Sequence, residues 1–79
     1  MMKYYGKITY TIDKEHPGIQ YAKGWTEDKV YTFDDNYTFN NDYTEEEIVS
    51  YIKNDLMLVA GGGYNKNHIH NVNFEIKKQ

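Results

Sequence analysis

The 79-residue sequence predicts an α+β fold, in which an antiparallel sheet of four strands, with three to five allowed, carries one α-helix across one face. Three observations predict it. Apolar and polar residues alternate near both ends of the chain, as is typical of half-buried strands. One segment in the second half repeats apolar residues every three or four positions after a helix-start signal. The expected order is β-β-β(-β)-α-β, in a single domain covering residues 1–79.

The first half of the chain is expected to form a meander of strands. From Tyr4 to Ile12, every second residue is Tyr, Gly or Ile, and the residues between them are Tyr, Lys or Thr. Pro17-Gly18 occupies the centre of a predicted type II turn, so Ile19–Trp25 is expected to return as a second strand. Val30–Phe33 and Tyr37–Phe39 predict two shorter strands, separated by the turn sequence Asp-Asp-Asn.

The helix prediction begins at Thr44. Thr44 and Glu47 have the spacing of a capping box, and acidic residues fill the first turn, where the helix dipole favours anions. Gly61-Gly62-Gly63 is expected to end the helix. In an alternative interpretation the helix ends at Asn54-Asp55, and Leu56–Ala60 is a strand. The predicted apolar face consists of Ile48, Tyr51, Ile52, Leu56 and Val59.

The last segment predicts a closing strand. His70, Val72, Phe74 and Ile76 share one parity, which is expected to face the core. If the two terminal strands pair as neighbours, the sheet face away from the helix is polar. That face would consist of Lys7, Thr9, Thr11, Asn71, Asn73 and Glu75.

Composition narrows the class of protein. Leu, Ile, Val and Phe together supply only 16 residues, so some of the nine tyrosines must help to fill the core. The chain has no cysteine, which excludes disulfide scaffolds and thiolate metal sites. No signal peptide or membrane-spanning stretch is evident, so we expect a cytoplasmic protein that does not associate with membranes.

The sequence shows no arrangement typical of an enzyme. Ser50 is the single serine, and its predicted place in mid-helix has no histidine at helical spacing. We therefore expect a protein that is not an enzyme and that needs no cofactor.

Charge is segregated along the chain. Residues 27–55 carry nine acids against two lysines, whereas each flanking segment has a net charge of +2. This acidic stretch predicts binding to a protein partner with a basic surface, because spaced carboxylates can imitate a nucleic-acid backbone while tyrosines supply rigid contact area. In the alternative interpretation, turns and helix starts simply attract Asp and Glu, and nothing binds there. The candidate partner-binding residues are Asp34, Asp35, Tyr37, Asp42, Tyr43, Glu45 and Glu46.

This composition suggests an origin for the protein but places it in no family. Small acidic inhibitors encoded by phages and mobile elements have a similar style of composition. The first functional hypothesis is therefore a small interaction module, either an inhibitor or an accessory protein.

Two other functions remain open. His68 and His70 lie two residues apart on a predicted strand, so both imidazoles could bind one metal in a metal-binding or catalytic protein, with His16 as a third ligand. Single-stranded nucleic acid could stack on exposed rings beside lysines, although the chain has no arginine and its middle is acidic, so nucleic acid is the less favoured partner. The candidate rings are Tyr4 or Tyr5, Trp25 and Tyr64. An unpaired edge strand also predicts a homodimer.

Overall fold

An antiparallel three-stranded sheet and one long helix form the framework of the protein in a computed structural model, which describes residues 1–21, 24–27, 29–61 and 66–79. The elements are β1 (Met2–Ile12), α1 (Pro17–Tyr21), β2 (Tyr31–Phe39), α2 (Glu45–Ala60), a 3₁₀ turn (Lys66–His68) and β3 (Ile69–Lys78). The strand order is β2-β1-β3, so the two terminal strands are neighbours, as expected. The α+β class is confirmed, but the described residues form three strands instead of four.

β1 is the central strand and supplies much of the core. Its alternate residues Tyr4, Ile8, Tyr10 and Ile12 are buried, which confirms that tyrosine rings help to fill the interior. Gly6 completes this row, and an added Cβ there would lie only 2.6 Å from Cγ2 of Ile52 in α2. The opposite face of the sheet is polar and uncovered among the described residues.

α2 begins as the sequence predicts. Thr44 accepts a hydrogen bond from the N–H of Glu47, and the Glu47 carboxylate accepts one from the N–H of Thr44. The helix continues to Ala60, so the alternative strand at Leu56–Ala60 is wrong. Tyr51 and Val59 do not belong to the buried face, because contact with the sheet buries only a narrow row of the helix at four-residue spacing. That row is Ile48, Ile52, Leu56 and Ala60.

The predicted strand at Ile19–Trp25 is wrong where the structure describes it, while its residues 22–23 lie outside the described residues. The chain forms the short helix α1 instead, with Pro17 at its first position, where a missing N–H does no harm. The ring Nδ1 of His16 accepts a hydrogen bond from the N–H of Gly18 at 2.8 Å, so the histidine acts as an N-terminal cap.

The predicted turn within residues 34–36 is also wrong, because β2 runs through it without interruption. Asp34 pairs with Lys7 of β1, and Asn36 pairs with Tyr5. The hydroxyl of Tyr5 donates to the Asp34 carboxylate at 2.9 Å. Cross-strand contacts thus override the local turn preference of Asp and Asn.

A β-bulge changes the direction of the first residues of β3. The pairing with β1 shifts between Thr9 and Thr11, and Asn71 has a positive φ of 53°. Ile69 is consequently buried, while His70 lies opposite Thr11 on the polar face. The expectation that His70 shares the core-facing side with Val72 is therefore wrong.

Candidate functional site

An open groove of about 430 Å³ lies between the C-terminal end of β2 and the N-terminal half of α2. Aromatic side chains make up most of its lining, which is the usual character of a binding cleft. We call it the aromatic groove, and its lining residues are Tyr37, Thr38, Phe39, Asn40, Tyr43, Glu47 and Tyr51.

Secondary structure places the four rings. Tyr37 and Phe39 lie two residues apart on β2, so both face the side that carries α2, and their planes differ by only 18°. Tyr51 stands almost perpendicular to Phe39, at 88° and a centroid distance of 5.5 Å. Tyr43, which lies just before the helix cap, stands at 71° to the same ring at 6.0 Å. A ring that is nearly parallel to Phe39 and rings that stand steeply to it therefore surround one open volume.

Two of these rings remain largely accessible to solvent. The exposed fraction is 49% for Tyr43 and 57% for Tyr51. Tyr37 and Phe39 are half-buried. The ring of Tyr37 contacts Tyr51, and the ring of Phe39 contacts Tyr43. Grouped aromatic rings that stay accessible are a feature of interaction sites, because they offer large contact area at low cost in side-chain entropy.

Carboxylate groups lie in the lining of the aromatic groove and next to it. The Tyr37 hydroxyl donates to the carboxylate of Asp55 at 2.7 Å. Burial, together with this bond and the charges of Asp55 and Asp35, raises the pKa of Tyr37 well above the usual value for tyrosine. The bond from the N–H of Thr44 lowers the pKa of Glu47, so this lining carboxylate is charged at neutral pH.

The predicted partner-binding residues divide between three surfaces. Tyr37 and Tyr43 line the groove, Asp35 acts electrostatically on Tyr37, and Asp42 directly precedes Tyr43. Asp34 lies on the opposite face of the sheet, bonded to Tyr5. Glu45 and Glu46 lie on the other flank of α2, beside Val49 and Lys53. The acidic stretch therefore does not form one continuous surface.

Sequence reasoning missed four residues that the structure adds to this site: Phe39, Glu47, Tyr51 and Asp55. A usable signal was present, because Glu47, Tyr51 and Asp55 recur at four-residue spacing and must share one flank of the helix. Tyr51 was instead assigned to the apolar face.

His68 and His70 meet at one carboxylate, an arrangement that we call the Asp13 clamp. The Asp13 carboxylate contacts Nδ1 of His68 at 3.3 Å and Nε2 of His70 at 2.8 Å. The hydrogen bond with His70 is the largest of several contacts that lower the pKa of Asp13. The clamp joins the end of β1 to the start of β3.

His16, the suggested third metal ligand, is fully buried and already bonded at both ring nitrogens. Nδ1 accepts from Gly18, so Nε2 carries the proton and donates to the carbonyl of Ala60 at 2.6 Å. It is therefore not available to join the Asp13 clamp. The described residues include no group of three or more side chains arranged to hold a metal ion.

Among the rings suggested for nucleic-acid stacking, those in the described part of the chain do not assemble into one platform. Tyr4 is buried, and Trp25 stacks between His16 and Tyr31 at 5.5 and 4.5 Å. Tyr5 is bonded to Asp34 on the polar sheet face. Tyr64, like Gly62 and Gly63, lies outside the described residues.

Comparison of the chain with models of known protein families, with curated proteins and with solved structures finds no match. None of the helices in the described part of the chain has the length and hydrophobicity required to span a bilayer.

Proposed function

We propose that the protein is a small interaction module that binds a basic surface of a partner protein through the aromatic groove and its carboxylates. The observation that carries this proposal is the pair of half-exposed rings, Tyr43 and Tyr51, beside the charged carboxylate of Glu47. Rings in this position supply contact area, while the carboxylates select a partner of opposite charge.

The groove side, rather than the whole acidic stretch, is the proposed binding surface. Glu47 lines the groove, and Asp35 and Asp55 lie close to its residue Tyr37, whereas Asp34 faces away. Asp42 directly precedes the groove residue Tyr43 in the sequence. A basic groove that normally holds nucleic acid is one surface that would meet these requirements, as expected of an acidic inhibitor from a phage or mobile element. Binding should weaken as salt screens the charges.

Asp34 and Asp35 offer a matched pair of variants for testing the proposal. They are adjacent and both exposed, and each carboxylate accepts one hydrogen bond, from the hydroxyl of Tyr5 and from the N–H of Asn36 respectively. Asp34→Lys and Asp35→Lys therefore change the net charge equally and each remove one bond, but they do so on opposite faces of the sheet.

The experiment captures partners from a cell lysate on the immobilised protein at low salt, identifies them by mass spectrometry and measures the affinity of the purified partner. We expect Asp35→Lys to weaken binding about fivefold, because reversing a rim charge is worth roughly 1 kcal/mol. Asp34→Lys should change affinity less. Equal loss in both variants, or an affinity that does not fall with salt, would contradict the proposal.

A further inference from the structure

The aromatic groove has the geometry of a cage for a single cationic group. The rings of Tyr37 and Phe39 are nearly parallel, and Tyr43 and Tyr51 stand steeply to Phe39, so ring planes of different orientation surround the same volume. The face of an aromatic ring carries negative electrostatic potential, and a cation within about 6 Å of a ring centroid is attracted to it.

The electrostatics of the groove favour a positive ligand. Glu47 is the charged residue of the lining, and the lining contains no lysine. Asp35 and Asp55 add negative charge around Tyr37. An anionic ligand would meet these carboxylates without a compensating cation.

Lysines of the chain itself cover other rings. In the described residues, Lys29 lies 5.5 Å from the ring of Tyr31, and Lys53 lies at the same distance from Phe74. Neither ring belongs to the groove lining. The groove therefore presents accessible rings together with negative charge and is not filled by a lysine from its own lining.

The groove lining suits the guanidinium of arginine better than the ammonium of lysine. A guanidinium is planar and weakly hydrated, so it stacks on rings with little loss of solvation and still donates to a carboxylate with its edge. An ammonium is strongly hydrated, and an opening lined mostly by aromatic rings replaces that hydration poorly. The lining, with four rings and one carboxylate, suits a guanidinium better.

We infer that the aromatic groove is a receptor for one arginine side chain of the partner protein. This inference rests on the proposed function and specifies what the binding surface recognises. The arginine stacks against the exposed rings of Tyr43 and Tyr51 and donates to the carboxylate of Glu47.

The test uses the blocked peptides acetyl-Gly-Arg-Gly-amide, acetyl-Gly-Lys-Gly-amide and acetyl-Gly-citrulline-Gly-amide, each titrated into ¹⁵N-labelled protein. The arginine peptide should shift the amide signals of Thr38, Asn40 and Glu47, with a dissociation constant in the millimolar range. The lysine peptide should bind more weakly, and the neutral citrulline peptide should not bind. Comparable shifts with citrulline or lysine would overturn the assignment.

Variants at Tyr51 distinguish the effect of losing the aromatic ring from the effect of losing the fold. Tyr51 is 57% exposed, so Tyr51→Leu removes the ring at little risk to folding and should weaken arginine binding about three- to tenfold. Tyr51→Phe retains the ring and should bind as the parent does. Tyr5→Leu is the matched control on the polar sheet face and should leave binding unchanged. Unaltered binding in Tyr51→Leu would overturn the inference.

The two proposals can fail separately. If the peptides do not bind but Asp35→Lys still weakens the captured partner more than Asp34→Lys, the interaction module stands and the arginine receptor is wrong. If the arginine peptide binds in the groove and no charge-dependent partner is found, the receptor chemistry stands and the proposed function is wrong.

Discussion

Replacing His16 by Ala should destabilise the protein by about 2–5 kcal/mol. The side chain is 1% exposed and connects three parts of the chain: it donates to the Ala60 carbonyl at the end of α2, accepts from Gly18 in α1 and stacks on Trp25. Alanine leaves a buried carbonyl and an N–H without these bonds, each worth about 1–3 kcal/mol, and removes a ring contact worth about 0.5–1.5 kcal/mol. These contributions are not fully additive.

The loss is large relative to the total stability, which for 79 residues is expected to be about 4–12 kcal/mol. The assay is urea unfolding followed by circular dichroism and by the fluorescence of Trp25, the single tryptophan of the chain. With a slope near 1 kcal/mol per molar urea, the midpoint should fall by about 2 M or more. His16→Asn can still accept from Gly18, and His16→Gln can still donate to Ala60, so both should lie between the parent and the alanine variant.

His70→Ala serves as the control, because that side chain is 51% exposed and should contribute less than about 1 kcal/mol. A midpoint for His16→Ala within about 0.5 M urea of the parent, or an equal loss of stability in His70→Ala, would refute the structural role of His16. Should His16→Ala prove unfolded in the absence of urea, the ranking of the Asn and Gln variants still tests both hydrogen bonds.

Three further predictions follow from single contacts. Gly6→Ala should cost about 1–3 kcal/mol in urea unfolding, because the new Cβ would meet the branched side chain of Ile52 at 2.6 Å. Tyr37→Phe should flatten the loss of stability above about pH 10, since a raised pKa in the folded state contributes stability that disappears as the pH rises; an unchanged alkaline profile would contradict the raised pKa of Tyr37, which burial and the bond to Asp55 cause. Asp13→Asn should be less stable than the parent at pH 7 and approach it as the pH falls below about 4, because a lowered pKa contributes stability only while the carboxylate is charged; a constant difference from pH 7 to pH 3 would count against this.

The features predictable from sequence were those encoded by neighbouring residues. The alternation in β1 and the capping box at Thr44 depend on side chains within a few positions of one another, and both have the predicted form. The failures involve partners far along the chain. Asp34 and Asn36 look like turn residues until β1 supplies Lys7 and Tyr5 opposite them. No local pattern contains that information.

The candidate site was only partly predictable from the sequence. Adjacent acids were assumed to share a surface, but alternation along β2 sends Asp34 and Asp35 to opposite faces. The bulge at Asn71 likewise reverses the direction expected for His70, and a single residue with positive φ gives little warning of it in sequence. The three-residue spacing of Tyr51 from Ile48 predicts a place on the apolar face of the helix, whereas its position on the helix flank makes it the most exposed ring of the groove.

The two ends of the sheet use aromatic rings in different ways, and this contrast is the strongest physical argument for the candidate site. At one end Tyr10, Tyr31, Trp25 and His16 stack in series, so that each ring is stacked on the next, and Tyr10 and His16 are buried. At the other end Tyr43 and Tyr51 meet Phe39 edge to face around an open volume, and both remain about half exposed. A chain poor in aliphatic residues needs the first cluster to fill its core. The second cluster leaves much of its ring area in water, where it adds little to stability but can be buried by a partner.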